Sequence, residues 1–249
     1  MVAYFRLQNN LFMAAGAAAG MILAAAGYRS MILPAAGYAG IFIVLLFAFV
    51  GVVAGRVAAA VWANRRLRTL YGLLYEAGQP QQFLDRFEPL VKRVPESTIE
   101  YVDGMHHLAY ACEALGRYDM ALELLSSVRP EQLRLHRLVG TAQICNQRLR
   151  LQLLKRDAEK ARESLRDLQE VQEESRNRAP AVYQNICECV RLAEIWLKAL
   201  TGSEQIEAGD TEYIKEELSL AKNETHRREM QQLLDMIGGS SGNSPSMSC

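Results

Sequence analysis

The chain changes its hydrophobic pattern once, and sharply. From Met31 to Gly55 the run MILPAAGYAGIFIVLLFAFVGVVAG carries no ionisable side chain and leaves no polar face on a helix. About 20 apolar residues rising 1.5 Å each cross the hydrocarbon of a bilayer, whereas a surface helix of a soluble domain keeps one face for water. The pattern predicts a transmembrane helix over 31–62. A second apolar run, Leu11 to Tyr28, comes before it, separated only by Arg29 and Ser30. With about 18 residues, many of them Ala and Gly, it reaches the lower limit for a crossing and predicts a first span over 11–28. The two spans make a hairpin. Two alternatives stay open for the first run: a re-entrant segment, or a signal segment cleaved near Ala24 to Gly27 behind the basic Arg6.

Beyond Asn64 the pattern becomes that of amphipathic helices. The second span has no stop before Gly78, so it is expected to run on through ANRRLRTLYGLLYEAG. Pro80 opens a helix with Phe83, Phe87, Leu90, Val91 and Val94 on one stripe, shortened or kinked at Pro89. Ser97 and Glu100 suggest a capping box ahead of a helix burying Val102, Met105, Leu108, Ala109, Cys112 and Leu115 up to Gly116. Tyr118, Ala121, Leu122, Leu125 and Val128 give the next face, up to Pro130. Helices are then expected over Glu131–Leu154, after a turn near Lys155 to Ala158 with Ala161, Leu165, Leu168 and Val171 and running out in Glu173 to Arg178, and over Ala181–Leu200, Tyr213–Ala221 and Arg227–Ile237. The domains so drawn are a membrane anchor over 1–63, a helical domain over 64–237 and a tail, GGSSGNSPSMSC, of disordered composition over 238–249.

Charge sharpens this division. The 249 residues carry 28 basic and 28 acidic side chains, but almost all of them lie beyond Asn64. Arg56, Arg65, Arg66 and Arg68 follow the second span, which by the positive-inside rule puts both termini and the helical domain in the cytoplasm. Trp62 suits an interfacial anchor. Five cysteines (Cys112, Cys145, Cys187, Cys189 and Cys249) show no disulfide spacing and agree with a reducing compartment. Neither span holds Asp, Glu, Lys or His, which argues against an ion pathway. A neutral chain without aromatic-flanked basic stripes gives no reason to expect nucleic acid. Gly16 with Gly20, and Gly51 with Gly55, form small-xxx-small faces for close helix packing, within the hairpin or between protomers of a homo-oligomer.

Leu108-Ala109 through Leu115-Gly116-Arg117-Tyr118-Asp119-Met120-Ala121 resembles a tetratricopeptide repeat. Leu108 and Ala109 match the large and small residues of its first helix, Tyr118 the turn tyrosine and Ala121 the small residue at the helix crossing. Met105 and Cys112 replace the usual Trp and Tyr, and the final Pro is displaced to Pro130. The specific motif covers about one repeat; the rest of 64–237 is similar only as helix pairs. With the two apolar spans, the resemblance implies an all-α fold, a transmembrane hairpin followed by a superhelix of stacked pairs. It also implies a concave groove for a protein or peptide, into which Asp103, His106, Tyr110 and Glu113 would point beside Arg134, Arg137, Thr141 and Arg148.

Catalytic chemistry finds no footing. Gly238 to Gly242 spells G-x-S-x-G, but in a tail and without the strand-to-helix turn that exposes a nucleophile. His106 and His107 are adjacent on a helix and diverge by about 100°, and Cys187 and Cys189, two positions apart, also diverge, so neither pair chelates one metal. No HExxH, phosphate-binding loop or dinucleotide fingerprint occurs. No cofactor is expected. The expected function is a membrane-tethered scaffold that contacts lipid and holds a cytoplasmic protein; the alternative is an accessory subunit of a membrane complex acting through its spans.

Overall fold

The computed structural model describes residues 6–30, 37–130, 133, 137–202, 206–221 and 224–240. Among them the regular structure is helical, in the order α1 (Arg6–Ser30), α2 (Gly37–Tyr75), α3 (Pro80–Val91), α4 (Ile99–Ala114), α5 (Tyr118–Ser126), α6 (Arg137–Leu154), α7 (Ala158–Ser175), α8 (Pro180–Thr201), α9 (Ala208–Leu220) and α10 (Glu224–Ser240). The chain forms two compact units, residues 1–115 with α1 to α4 and residues 116–249 with α5 to α10.

In the first unit α2 runs 39 residues, about 58 Å at 1.5 Å per residue. The expected domain boundary between 63 and 64 falls inside this unbroken helix. Its stretch Leu45–Tyr75 is long and apolar enough to cross a membrane. The two halves of α2 carry different surfaces. Up to Val61 large apolar side chains stand open, with Leu45 62%, Phe49 66% and Val57 59% exposed. Past that point Leu67, Leu70 and Leu74 are buried, and α3 packs against both α2 and α4. Gly78 ends the turn after α2 at φ +60°, a left-handed conformation that costs glycine little.

Pro80 occupies the first turn of α3, where its missing N–H is not needed. Pro89 lies inside α3, which ends two residues later, at Val91. Phe83, Phe87, Val91 and Val94 are buried as the stripe requires. The cap of α4 differs from expectation. The helix begins at Ile99, so the residue before it, Thr98, is the N-cap; its Oγ1 accepts from Tyr101 N at 3.3 Å and donates to Pro95 O at 2.7 Å. Ser97 lies one residue too early for the role, and Glu100 falls at the second helical position rather than the third.

The second unit is built on α6, α7 and α8, each in contact with the other two. Leu149, Leu153, Ala161, Leu165, Leu168, Ile186, Val190, Ala193 and Trp196 form its core, extended by Ile214 of α9 and by Met230 and Leu233 of α10. Helix α6 starts at Arg137, later than the expected Glu131; 131, 132 and 134–136 lie outside the described residues. Asp157 caps α7 by accepting from Lys160 N at 3.2 Å, after Arg156 turns the chain at φ +59°. Of the expected tail, 238–240 close α10 and 241–249 lie outside the described residues.

Candidate functional site

Gly16 and Gly20 of α1 and Gly51 and Gly55 of α2 lie on one helix contact. A methyl added at Gly16 would fall on the Gly51 carbonyl oxygen and come within 3.1 Å of Gly55 Cα. One added at Gly20 would meet the Phe47 carbonyl, and one at Gly55 the Phe12 carbonyl. Partners on α2 fall in number as positions on α1 rise, so the helices cross antiparallel with backbone touching backbone. Hydrogens at these positions are what allow that approach. Phe12 and Trp62 close one end, ring centroids 6.1 Å apart.

Where α2 leaves its apolar half, a second cluster forms. Tyr71 sits against Phe83, Phe87 and His107, with centroids 6.2, 5.7 and 4.6 Å away. Tyr75 meets Tyr110 at 5.3 Å, and its hydroxyl hydrogen-bonds His107 Nδ1 at 2.7 Å. On its other side His107 Nε2 is 3.5 Å from Asp103 Oδ1. Burial works against ionising Asp103, but the His107 hydrogen bond and the nearby histidine charges outweigh it and hold the carboxyl below its ordinary range. Tyr75, His107 and Asp103 thus make a polar chain between the end of α2 and the middle of α4. Sequence reading gave these residues no such role. Tyr71 and Tyr75 at an i, i+4 spacing beyond the arginines were the available signal.

The groove residues inferred from the resemblance do not share one environment. Asp103, His106 and Tyr110 are half-buried on α4, and Glu113 is buried at 7% exposure. Tyr110 lies on the Tyr75 ring. Arg137 is exposed and paired with Glu174, which also accepts from Arg178 at 2.9 Å. Thr141 Oγ1 donates to the Arg137 carbonyl at 2.9 Å. Arg148 is half-buried and donates to the Leu125 carbonyl at 2.7 Å, joining α6 to α5. Arg134 lies outside the described residues. The α4 residues belong to the first unit, Arg137 and Arg148 to the second.

Within the second unit α6 and α8 flank a groove of about 240 Å³ over Leu168 of α7, with Val139, Ala142, Val182 and Ile186 as apolar walls and Gln143, Asn146 and Asn185 as carboxamides. Three amides among apolar walls can donate and accept at once, the requirement of a peptide group. The thiols nearby are not activated. Burial pushes Cys145 up to about 11, and burial with Glu188 raises Cys189. Among the described residues no three His, Cys, Asp or Glu side chains gather in a way that could hold a metal. No protein-family model matches the chain, and neither the characterised proteins nor the solved structures contain a match to it.

Proposed function

We propose that this chain is a membrane-tethered scaffold: α1 and the first part of α2 form a transmembrane hairpin, and the helices beyond hold a cytoplasmic protein. The observation that carries the tether is the open apolar surface of the hairpin. Met21 and Ile22 of α1 and Leu45, Phe49, Val53 and Val57 of α2 are large, apolar and about half exposed or more. Such a continuous band is costly in water and at no cost in lipid. The backbone contact between the glycine faces supports a paired hairpin, since lipid supplies no hydrophobic drive and helix pairs in it depend on close packing.

Recruitment rests on the second unit's groove between α6 and α8. In a stack of helix pairs similar to tetratricopeptide repeats, these would be the first helices of consecutive pairs, and a polypeptide partner would lie between them. The accessory-subunit reading is less well supported, because Gly16, Gly20, Gly51 and Gly55 are occupied by contacts within the chain and so are not free to join another subunit or a second copy. The test is cross-linking and pull-down from intact membranes with the full chain as bait, comparing Asn146→Ala/Asn185→Ala with Gly16→Leu. Loss of the captured partner with the first variant and not the second supports the scaffold; the reverse supports the accessory subunit.

A further inference from the structure

We infer that the arginines of α2 form a collar for anionic phospholipid headgroups; this rests on the tether proposed above. From Met1 to Tyr75 the chain has six arginines and no lysine, histidine, aspartate or glutamate. Four of the six lie on α2, Arg56 within its open apolar surface and Arg65, Arg66 and Arg68 just past the end of that surface at Val61, and all four are exposed. None of the four pairs with a carboxylate among the described residues.

Their placement round the helix identifies the partner. At 3.6 residues per turn, each step along α2 rotates by about 100°. Measured from Arg56, the other three then point at about 120° for Arg68, 180° for Arg65 and 280° for Arg66. A protein docking on α2 would meet one of these faces; a layer of headgroups meets them all. The height agrees as well. Arg56 stands among the exposed Val53, Val57 and Val61, from which a guanidinium can only reach outward to the headgroups. Arg66 lies over the Trp62 ring, 5.6 Å from its centroid, on the bilayer side of its own backbone. A guanidinium takes a phosphate through two parallel hydrogen bonds, and a headgroup without an amine of its own leaves that phosphate uncompensated.

The full chain, reconstituted in vesicles of phosphatidylcholine containing a minor fraction of spin-labelled phosphatidylglycerol, gives the test. The motionally restricted fraction of the label should exceed that of labelled phosphatidylcholine, by about fivefold for each engaged arginine site, and the excess should shrink in high salt. Arg65→Gln/Arg66→Gln/Arg68→Gln should remove most of it, while the Lys substitutions at the same positions restore part. These positions are exposed, so thermal unfolding in detergent should not change and a folding defect is separable. Equal restriction of the two lipids in the unaltered chain overturns the collar and leaves the tether standing. A chain that does not enter the vesicles overturns both.

Discussion

Removing Arg150 would strand a carboxylate in the second unit. Its guanidinium binds both oxygens of Glu229, Nε reaching Oε2 at 3.2 Å, and joins α6 to α10; Glu229 is only 7% exposed. Breaking a pair of this kind from one side costs roughly 3–5 kcal/mol, while replacing both partners with apolar residues is often close to neutral. Arg150→Ala should therefore lower the denaturation midpoint strongly, and Arg150→Met with Glu229→Leu should recover most of the loss. Equal loss in the single and double variants would show that packing, not charge, holds α10. Gln147 makes the opposite case. It is 2% exposed, and neither its amide nitrogen nor its oxygen has a hydrogen-bond partner among the described residues. A buried amide left without partners costs about 1–3 kcal/mol, so Gln147→Leu should stabilise by about 1 kcal/mol in urea denaturation. Asp103 sets a pH dependence. A carboxyl held below its unfolded value, about 3.9, adds stability above that value and loses it as the pH falls through the depressed one. Asp103→Asn should flatten the acid limb of the stability profile; an unaltered limb would mean that His107 does not hold the carboxylate in the folded state. Neither Gln147 nor Arg150 stands out in the sequence. Gln147 and Arg150 interrupt an apolar stripe as solvent-facing residues do, and only contact with other helices tells them apart from those.

Among the elements, α1 and α2 allow a test in which propensity and packing have opposite signs. Glycine inside a helix costs roughly 0.5–1 kcal/mol relative to alanine, so Gly→Ala stabilises wherever there is room. Gly72 has room, since a methyl there would meet nothing nearer than Glu76 Oε2 at 3.6 Å. At Gly51 the methyl would run into the Gly16 carbonyl, and backbone cannot swing aside as a side chain can. Gly72→Ala should raise the unfolding temperature in detergent, and Gly51→Ala should lower it by an amount equivalent to about 1–3 kcal/mol of overpacking. If both raise it, the close crossing of α1 and α2 is absent. The positions of most helices were legible because their punctuation is local: Gly78, Gly116 and Gly202 adopt positive φ at helix ends, and Pro80 and Pro180 begin helices. The choice of cap between Ser97 and Thr98 was not, because both hydroxyls fit the pattern and the packing of α4 decides which precedes the first turn. The buried faces were read only in part. A single stripe on α6 accounts for Leu149 and Leu153, yet Ile144, Gln147 and Leu151 are buried as well. A helix with neighbours on two sides hides more than the one face that periodicity can report.

For the whole molecule the proposed tether raises the question of where α2 would leave the bilayer. A hydrocarbon core of about 30 Å takes up about half of a 39-residue helix, and the remainder is the part whose leucines are buried. The helix proposed to cross is thus the one against which α3 packs, and α2 is unbroken between Arg56 and Tyr75. This continuity was readable from the lack of any proline or turn before Gly78. The site was much less so: groove residues drawn from one repeat-like stretch fall in both units, whereas the carboxamide groove of α6 and α8 involves positions 40 residues apart that no local pattern connects. An open apolar band on an unbroken helix makes a strong demand on solubility. The full chain should stay with membranes after alkaline carbonate washing and require detergent to remain monodisperse, and a reporter fused at its carboxyl end should be active only on the cytoplasmic side. Monodisperse protein without detergent would mean that another surface covers Leu45 to Val61, and the tether would be lost; a reporter active outside would keep the anchor and reverse its direction, carrying the arginine collar to the outer leaflet.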